Sequence, residues 1–97
     1  MSFVQSIEMK TKNIDEIRQL NEEWRSKTEG KRTASRSALC KDRDNPDTYY
    51  VLVQFPSYDD AMKNSQLPET NDFAQRISKL CDNVKFYNLD VIEERDF

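Results

Sequence analysis

The chain has 97 residues and a formal net charge of −3, with 34% charged and 36% hydrophobic side chains, five Phe, four Tyr and one Trp. A chain of this length buries about 65% of its unfolded surface in one modest core, so residues 1–97 are expected to form a single domain. The acidic balance argues against a general polyanion binder, a single glycine argues against a glycine-cradled phosphate loop, and the lack of histidine leaves no metal site to complete.

Residues Phe3 to Lys10 alternate, with Phe3, Gln5, Ile7 and Met9 on one side and Val4, Ser6, Glu8 and Lys10 on the other, the period of a strand. The period then changes. Asn13 with Glu16 three residues on resembles a capping box, and Ile14, Ile17, Leu20, Trp24 and Thr28 recur at helical spacing until Gly30 stops the helix. The small-residue stretch Arg32 to Lys41 reads as a second strand, and Asp, Asn and Pro46 turn the chain back.

Tyr49 to Phe55 is apolar on both faces, which predicts a strand in the middle of a sheet. Ser57 is placed to cap a helix from Tyr58 to about Lys63, with Asp59 and Asp60 at its positive end. Pro68 opens a further helix in which Phe73, Ile77, Leu80 and Cys81 share a face, so the second helical region is broken near residues 64–68. A last strand is expected from about Val84 to Ile92, followed by a charged tail that frays or covers a neighbour.

The order strand, helix, strand, strand, helix, strand predicts an α+β, ferredoxin-like split βαββαβ domain, with the helices on one face of an antiparallel sheet. The helices are expected over the Ile7 and Leu89 sides. That leaves Val4, Ser6, Tyr50, Leu52, Gln54, Phe86 and Asn88 on the opposite face, a mixture too apolar for water, and a homodimer with facing sheets would cover it.

Without a transmembrane-length apolar run or a signal-peptide pattern, the expected compartment is the reducing cytoplasm, with no membrane partner and with Cys40 and Cys81 as free, buried, structural thiols. Arg25, Lys27, Lys31, Arg32, Arg36, Lys41 and Arg43 gather around one junction, opposed only by Glu29 and Asp42. They form either an anion-binding patch or a solvated helix end beside a guarded edge strand.

The segment FPSYDDAMKNSQLPETNDF runs from an aromatic strand end through a Ser-capped helix and a proline-containing turn into an aromatic helix. In this and in its element order the chain resembles the dimeric α/β-barrel superfamily, in particular small proteins related to antibiotic-biosynthesis monooxygenases. Members typically carry a Trp at the strand end and a His in the helix, where this chain has Phe55 and Asn64. The resemblance implies a homodimer and a pocket between helices and sheet for a small apolar or aromatic molecule. It also implies oxygenation without metal, flavin or any other cofactor, because an activated aromatic can itself reduce oxygen while the protein holds it. Haem chemistry through a His ligand is excluded, since the chain has no His.

Within that pocket the expected lining residues are Gln5, Trp24, Tyr49, Phe55, Asn64 and Phe73. Trp24 reads first as a core side chain whose indole N–H finds a partner and second as an aromatic wall of the pocket, and the two are compatible because pocket walls are built from core faces. Asn64 either caps the turn from Leu67 to Thr70 or faces a substrate oxygen. Tyr49 and Tyr50 point to opposite faces, and Tyr49 is assigned to the pocket. Paired-carboxylate catalysis finds no support, because Glu22 and Glu23, Asp59 and Asp60, and Glu93 and Glu94 are adjacent pairs that diverge. A non-catalytic dimeric binding or regulatory protein stays open on the same scaffold. An RNA-binding module is a more distant alternative, because the third strand lacks the basic and paired-aromatic pattern of such modules, and no nucleic-acid partner is expected.

Overall fold

The computed structural model describes residues 2–97. Period-two alternation makes β1 (Phe3–Lys10), β-branched and aromatic runs make β3 (Thr48–Phe55) and β4 (Asn83–Asp90), and β2 (Arg36–Lys41) is short and exposed. Period 3.6 makes α1 (Ile14–Lys27), α2 (Tyr58–Ser65) and α3 (Pro68–Leu80). The strands form one sheet in the order β2-β3-β1-β4, with every neighbouring pair antiparallel. This is the ferredoxin-like split βαββαβ arrangement, with the second helical region broken between Ser65 and Pro68. β3 lies inside the sheet, flanked by β1 and β2, as its two apolar faces require.

Local chemistry sets the helix ends, in two cases differently from expectation. Ser57 caps α2 by accepting from the Asp60 N–H at 3.1 Å, and Pro68 stands at the start of α3, where its missing N–H costs nothing. Asn13 makes no side-chain cap. Its Nδ2 instead donates to the Leu80 carbonyl at 3.0 Å, and Thr11 Oγ1 donates to the same oxygen at 2.6 Å, so the start of α1 is tied to the end of α3. α1 ends at Lys27, three residues before Gly30, because Thr28 closes the last turn with both its N–H and its hydroxyl on the Trp24 carbonyl. Gly30, at φ +79°, then carries the chain out of the helix.

The main core lies under α1 and α3 at one end of the sheet, where Met9 and Ile17 are fully buried and Ile77 is 2% exposed. A second cluster of Phe3, Phe55 and Ala61 sits under α2. Tyr58 packs edge-on to Phe3 with centroids 5.3 Å apart.

The structure corrects three further expectations. The first is the phase of β4: Phe86 pairs with Ile7 and Asn88 with Gln5, so these two lie on the helix side, and Tyr87 and Leu89 lie on the open face with Val4, Tyr50 and Leu52. β4 carries Phe86, Tyr87 and Leu89 on both of its faces, so its hydrophobic pattern held no phase, and a one-residue change in register exchanges the faces. Second, β2 begins at Arg36 rather than Arg32, and β4 ends at Asp90 rather than Ile92. After β4 the chain crosses the sheet end without regular structure, bonding through the Val91 N–H to the Ser2 carbonyl and through Glu94 to Gln54. Third, Cys40 is exposed on the edge strand and only Cys81 is partly buried, although both are free thiols. Burial pushes the Cys81 thiol up, which keeps it protonated and inert.

Candidate functional site

α1 is drawn toward α3. The Trp24 indole N–H donates to Thr70 Oγ1 at 2.9 Å, its ring packs against Phe73 with centroids 6.1 Å apart, and Arg76 pairs with Glu23 across the two helices. Lys31 Nζ, just beyond α1, reaches Glu69 on α3 at 2.9 Å. These ties hold α1 over the middle of the sheet and leave β2 uncovered, so that every residue of β2 is exposed.

The uncovered space is a cleft of about 1060 Å³ between α1, α3 and the helix-side face of the sheet, at the large end for a small-molecule site. Its floor is Gln5, Ile7, Val51, Val53 and Phe55, and its wall is Trp24, Thr70 and Phe73. Asn64, from the last turns of α2, borders the same space.

Asn64 is 6% exposed, and its Oδ1 is buried without a hydrogen-bond partner among the described residues. An orphaned buried amide oxygen costs about 1–3 kcal/mol. The turn-capping reading of this side chain does not hold. The Leu67 N–H goes to the backbone carbonyl of Asn64 at 3.2 Å, and the first turn of α3 has no side-chain cap.

Of the six residues expected to line a pocket, the fold brings Gln5, Trp24, Phe55, Asn64 and Phe73 to the cleft. Tyr49 does not join them. It faces the helix side but pairs with Met9 at the far end of β3 and packs on the main core. The face of Tyr49 was readable from alternation, whereas its position along the strand depends on where the helices leave space. Gln5 also satisfies itself, donating from Nε2 to Asn88 Oδ1 at 3.3 Å. The sequence reading missed Thr70, the partner of the Trp24 indole, and Arg18, which lines the cleft from α1. The demand of any half-buried indole for an acceptor was the available signal for Thr70. Among the described residues no group of three or more His, Cys, Asp or Glu gathers to hold a metal ion, and no helix is long and apolar enough to cross a membrane.

No family model matches the sequence, and no curated protein matches it by sequence comparison. Solved structures do match. SnoaB, a cofactor-independent oxygenase from Streptomyces nogalater whose solved form carries an asparagine-to-alanine substitution, superposes with a TM-score of 0.81 over 96% of this chain and 95% of its own, at 11% identity. The protein Rv0793 of Mycobacterium tuberculosis superposes at 0.80 over 99% and 100%, also at 11% identity.
An antibiotic biosynthesis monooxygenase superposes at 0.73 over 96% and 100%, at 16% identity. The chain shares the ferredoxin-like fold of these proteins. At such identities the likeness shows the fold alone, and chemistry has to be argued from the cleft.

Proposed function

We propose that this protein binds a small, largely apolar, aromatic molecule in the cleft and oxygenates it without a cofactor. The observation that carries the reading is the apolar cleft walled by Trp24 and Phe73 and bordered by Asn64, whose Oδ1 has no hydrogen-bond partner among the described residues. An aromatic ligand would lie against those rings, and a turn of the Asn64 amide toward the cleft would let Oδ1 accept from the ligand hydroxyl, removing the cost of the orphan. A ring system activated by such a hydroxyl can pass an electron to O2, and the resulting peroxide collapses with loss of water. The net change is one ring methylene plus O2 giving one ring carbonyl plus water. The protein's part is to fix the ring, orient the hydroxyl and exclude bulk water. The fold shared with SnoaB, a cofactor-independent oxygenase, supports this choice of chemistry.

Oxygen uptake with anthrone-like substrates tests it. Asn64→Ala and Trp24→Phe are expected to lower turnover while the fold survives; if neither changes turnover, the site assignment is wrong. Binding without turnover is the second reading. It is favoured by the composition of the inner cleft, where Asn64, Gln5 and Thr70 are all non-ionising and the carboxylates Asp15 and Glu22 stand on α1.

As part of the same reading the protein works as a homodimer in a reducing, cytoplasmic compartment. The open sheet face exposes Leu52, Tyr87 and Leu89 at 39%, 41% and 47%. With Val4 and Tyr50 they form a patch that a second copy, facing it about a two-fold axis, would cover. Light scattering is expected to give a dimer for the native chain and a monomer for Leu52→Glu; a monomeric native chain at micromolar concentration would refute the dimer.

A further inference from the structure

Charge is not spread evenly around the cleft. Asp15, Arg18, Glu22 and Arg25 line it from one flank of α1, and Arg32 lines it from the connection to β2. Arg36 also borders it, but its pairing with Gln54 sets it on the face turned away from the helices. The two carboxylates do not neutralise the three remaining guanidinium groups. Glu22 approaches Arg25 at 3.6 Å in an exposed i,i+3 pair, while Arg18 and Arg32 make no ion pair among the described residues.

Arg32 is the informative one. It is half-buried, and its Nη1 is committed to the Arg25 carbonyl at 2.8 Å, which fixes the guanidinium at the end of α1 and leaves its other donors free. Elsewhere in the basic cluster Lys27 is taken by Glu23 and Lys31 by Glu69. Arg32 is therefore a positioned, uncompensated cation beside an apolar floor, in a chain whose overall charge is −3. A guanidinium so held is a fork for a carboxylate, and partial removal from water strengthens the pair.

We propose that the ligand of the cleft is an aromatic carboxylate, its ring between Trp24 and the sheet and its carboxylate on Arg32, with Arg18 adding to the attractive field. The inference rests on the cleft being a ligand site and adds the charge of the ligand. It gives part of the basic cluster a role that neither a solvated helix end nor an edge-strand guard supplies.

Isothermal titration of the full chain with 2-naphthoate and with its neutral counterpart 2-naphthamide separates the two ideas. The expected result is saturable binding of both, with the carboxylate tighter by about tenfold or more, the yield of one charge-assisted hydrogen-bonded pair. Arg32→Gln removes the charge and should bring the two affinities together, with little change in the melting point because the bond that Nη1 makes to the Arg25 carbonyl is exposed. Lys63→Gln, which removes an equal charge from the exposed side of α2, should leave the ratio intact. Equal affinities in the native chain, or a ratio indifferent to Arg32→Gln, would overturn the anionic ligand while leaving the cleft a ligand site. Failure of both compounds to bind at millimolar concentration would overturn both ideas.

Discussion

The two ends of the helix-covered face are built on opposite principles. At the Met9 end, α1 and α3 close over the sheet, Met9 and Ile17 are completely buried, and Thr11 and Asn13 satisfy the last carbonyl of α3. Toward β2 and the Phe55 end the same helices leave a cleft of about 1060 Å³ beside the small Phe3–Phe55–Ala61 cluster under α2, β2 lies bare, and Asn64 keeps a buried oxygen without a partner. One end closes its side chains into a core, and the other leaves polar and apolar side chains facing open space. Where a small domain leaves a polar group unsatisfied next to a vacant apolar surface, fold optimisation has given way to another demand.

The largest expected effect breaks the closed end. Ile17→Ala should cost about 2–5 kcal/mol, as a cavity in a close-packed core does, whereas Leu39→Ala on the bare strand should stay within about 0.5 kcal/mol. Urea denaturation of both variants measures the contrast, and equal losses would mean that the cleft end is packed as tightly as the other.

Asn64→Leu sharpens the comparison with the opposite sign. Replacing an orphaned amide by an apolar side chain of similar volume should raise stability by about 1–3 kcal/mol while abolishing ligand binding. A fall in melting temperature with binding retained would show that Asn64 is structural.

The smallest effect is a pH dependence at the rim. The hydrogen bond from Lys31 holds the Glu69 carboxyl below its ordinary value of 4.5. A folded value below the unfolded one means that the pair's stabilisation is present above about pH 4.5 and is lost as the pH falls through the lowered value. Lys31→Met should flatten that part of the acid-unfolding profile and leave stability near neutral pH little altered, because the pair is solvent-screened. An unchanged profile would remove Lys31 from the ties that draw the α1 end to α3.

Most of this architecture was legible in the sequence because each element carries its own local signal. Ser57 before Asp60, Pro68 at a helix start and the two-sided apolar run of β3 place α2, α3 and the central strand without tertiary information. The phase of β4 was not legible, since Phe86 and Leu89 make both of its faces apolar and only pairing with β1 decides between them. The extent of β2 was obscured for the same kind of reason: residues 32–41 mix small, basic and apolar side chains without a clear alternation, and hydrogen bonding to β3 alone marks where the strand begins. At the site, the faces of Gln5, Trp24 and Phe73 followed from periodicity. The exclusion of Tyr49 and the inclusion of Thr70 depend on how far α1 is pulled toward α3, a distance no local pattern encodes.

Trp24 is the only tryptophan in the chain, so its indole N–H gives a single resolved cross-peak in a ¹⁵N-correlated NMR spectrum and reports directly on the Trp24–Thr70 wall of the cleft. Titration with 2-naphthoate should move that peak along a saturable, one-to-one curve in the native chain and leave it fixed in Asn64→Leu. A peak that stays in place in the native chain at saturating ligand, or that moves equally in Asn64→Leu, would contradict the assignment of this cleft as the functional site.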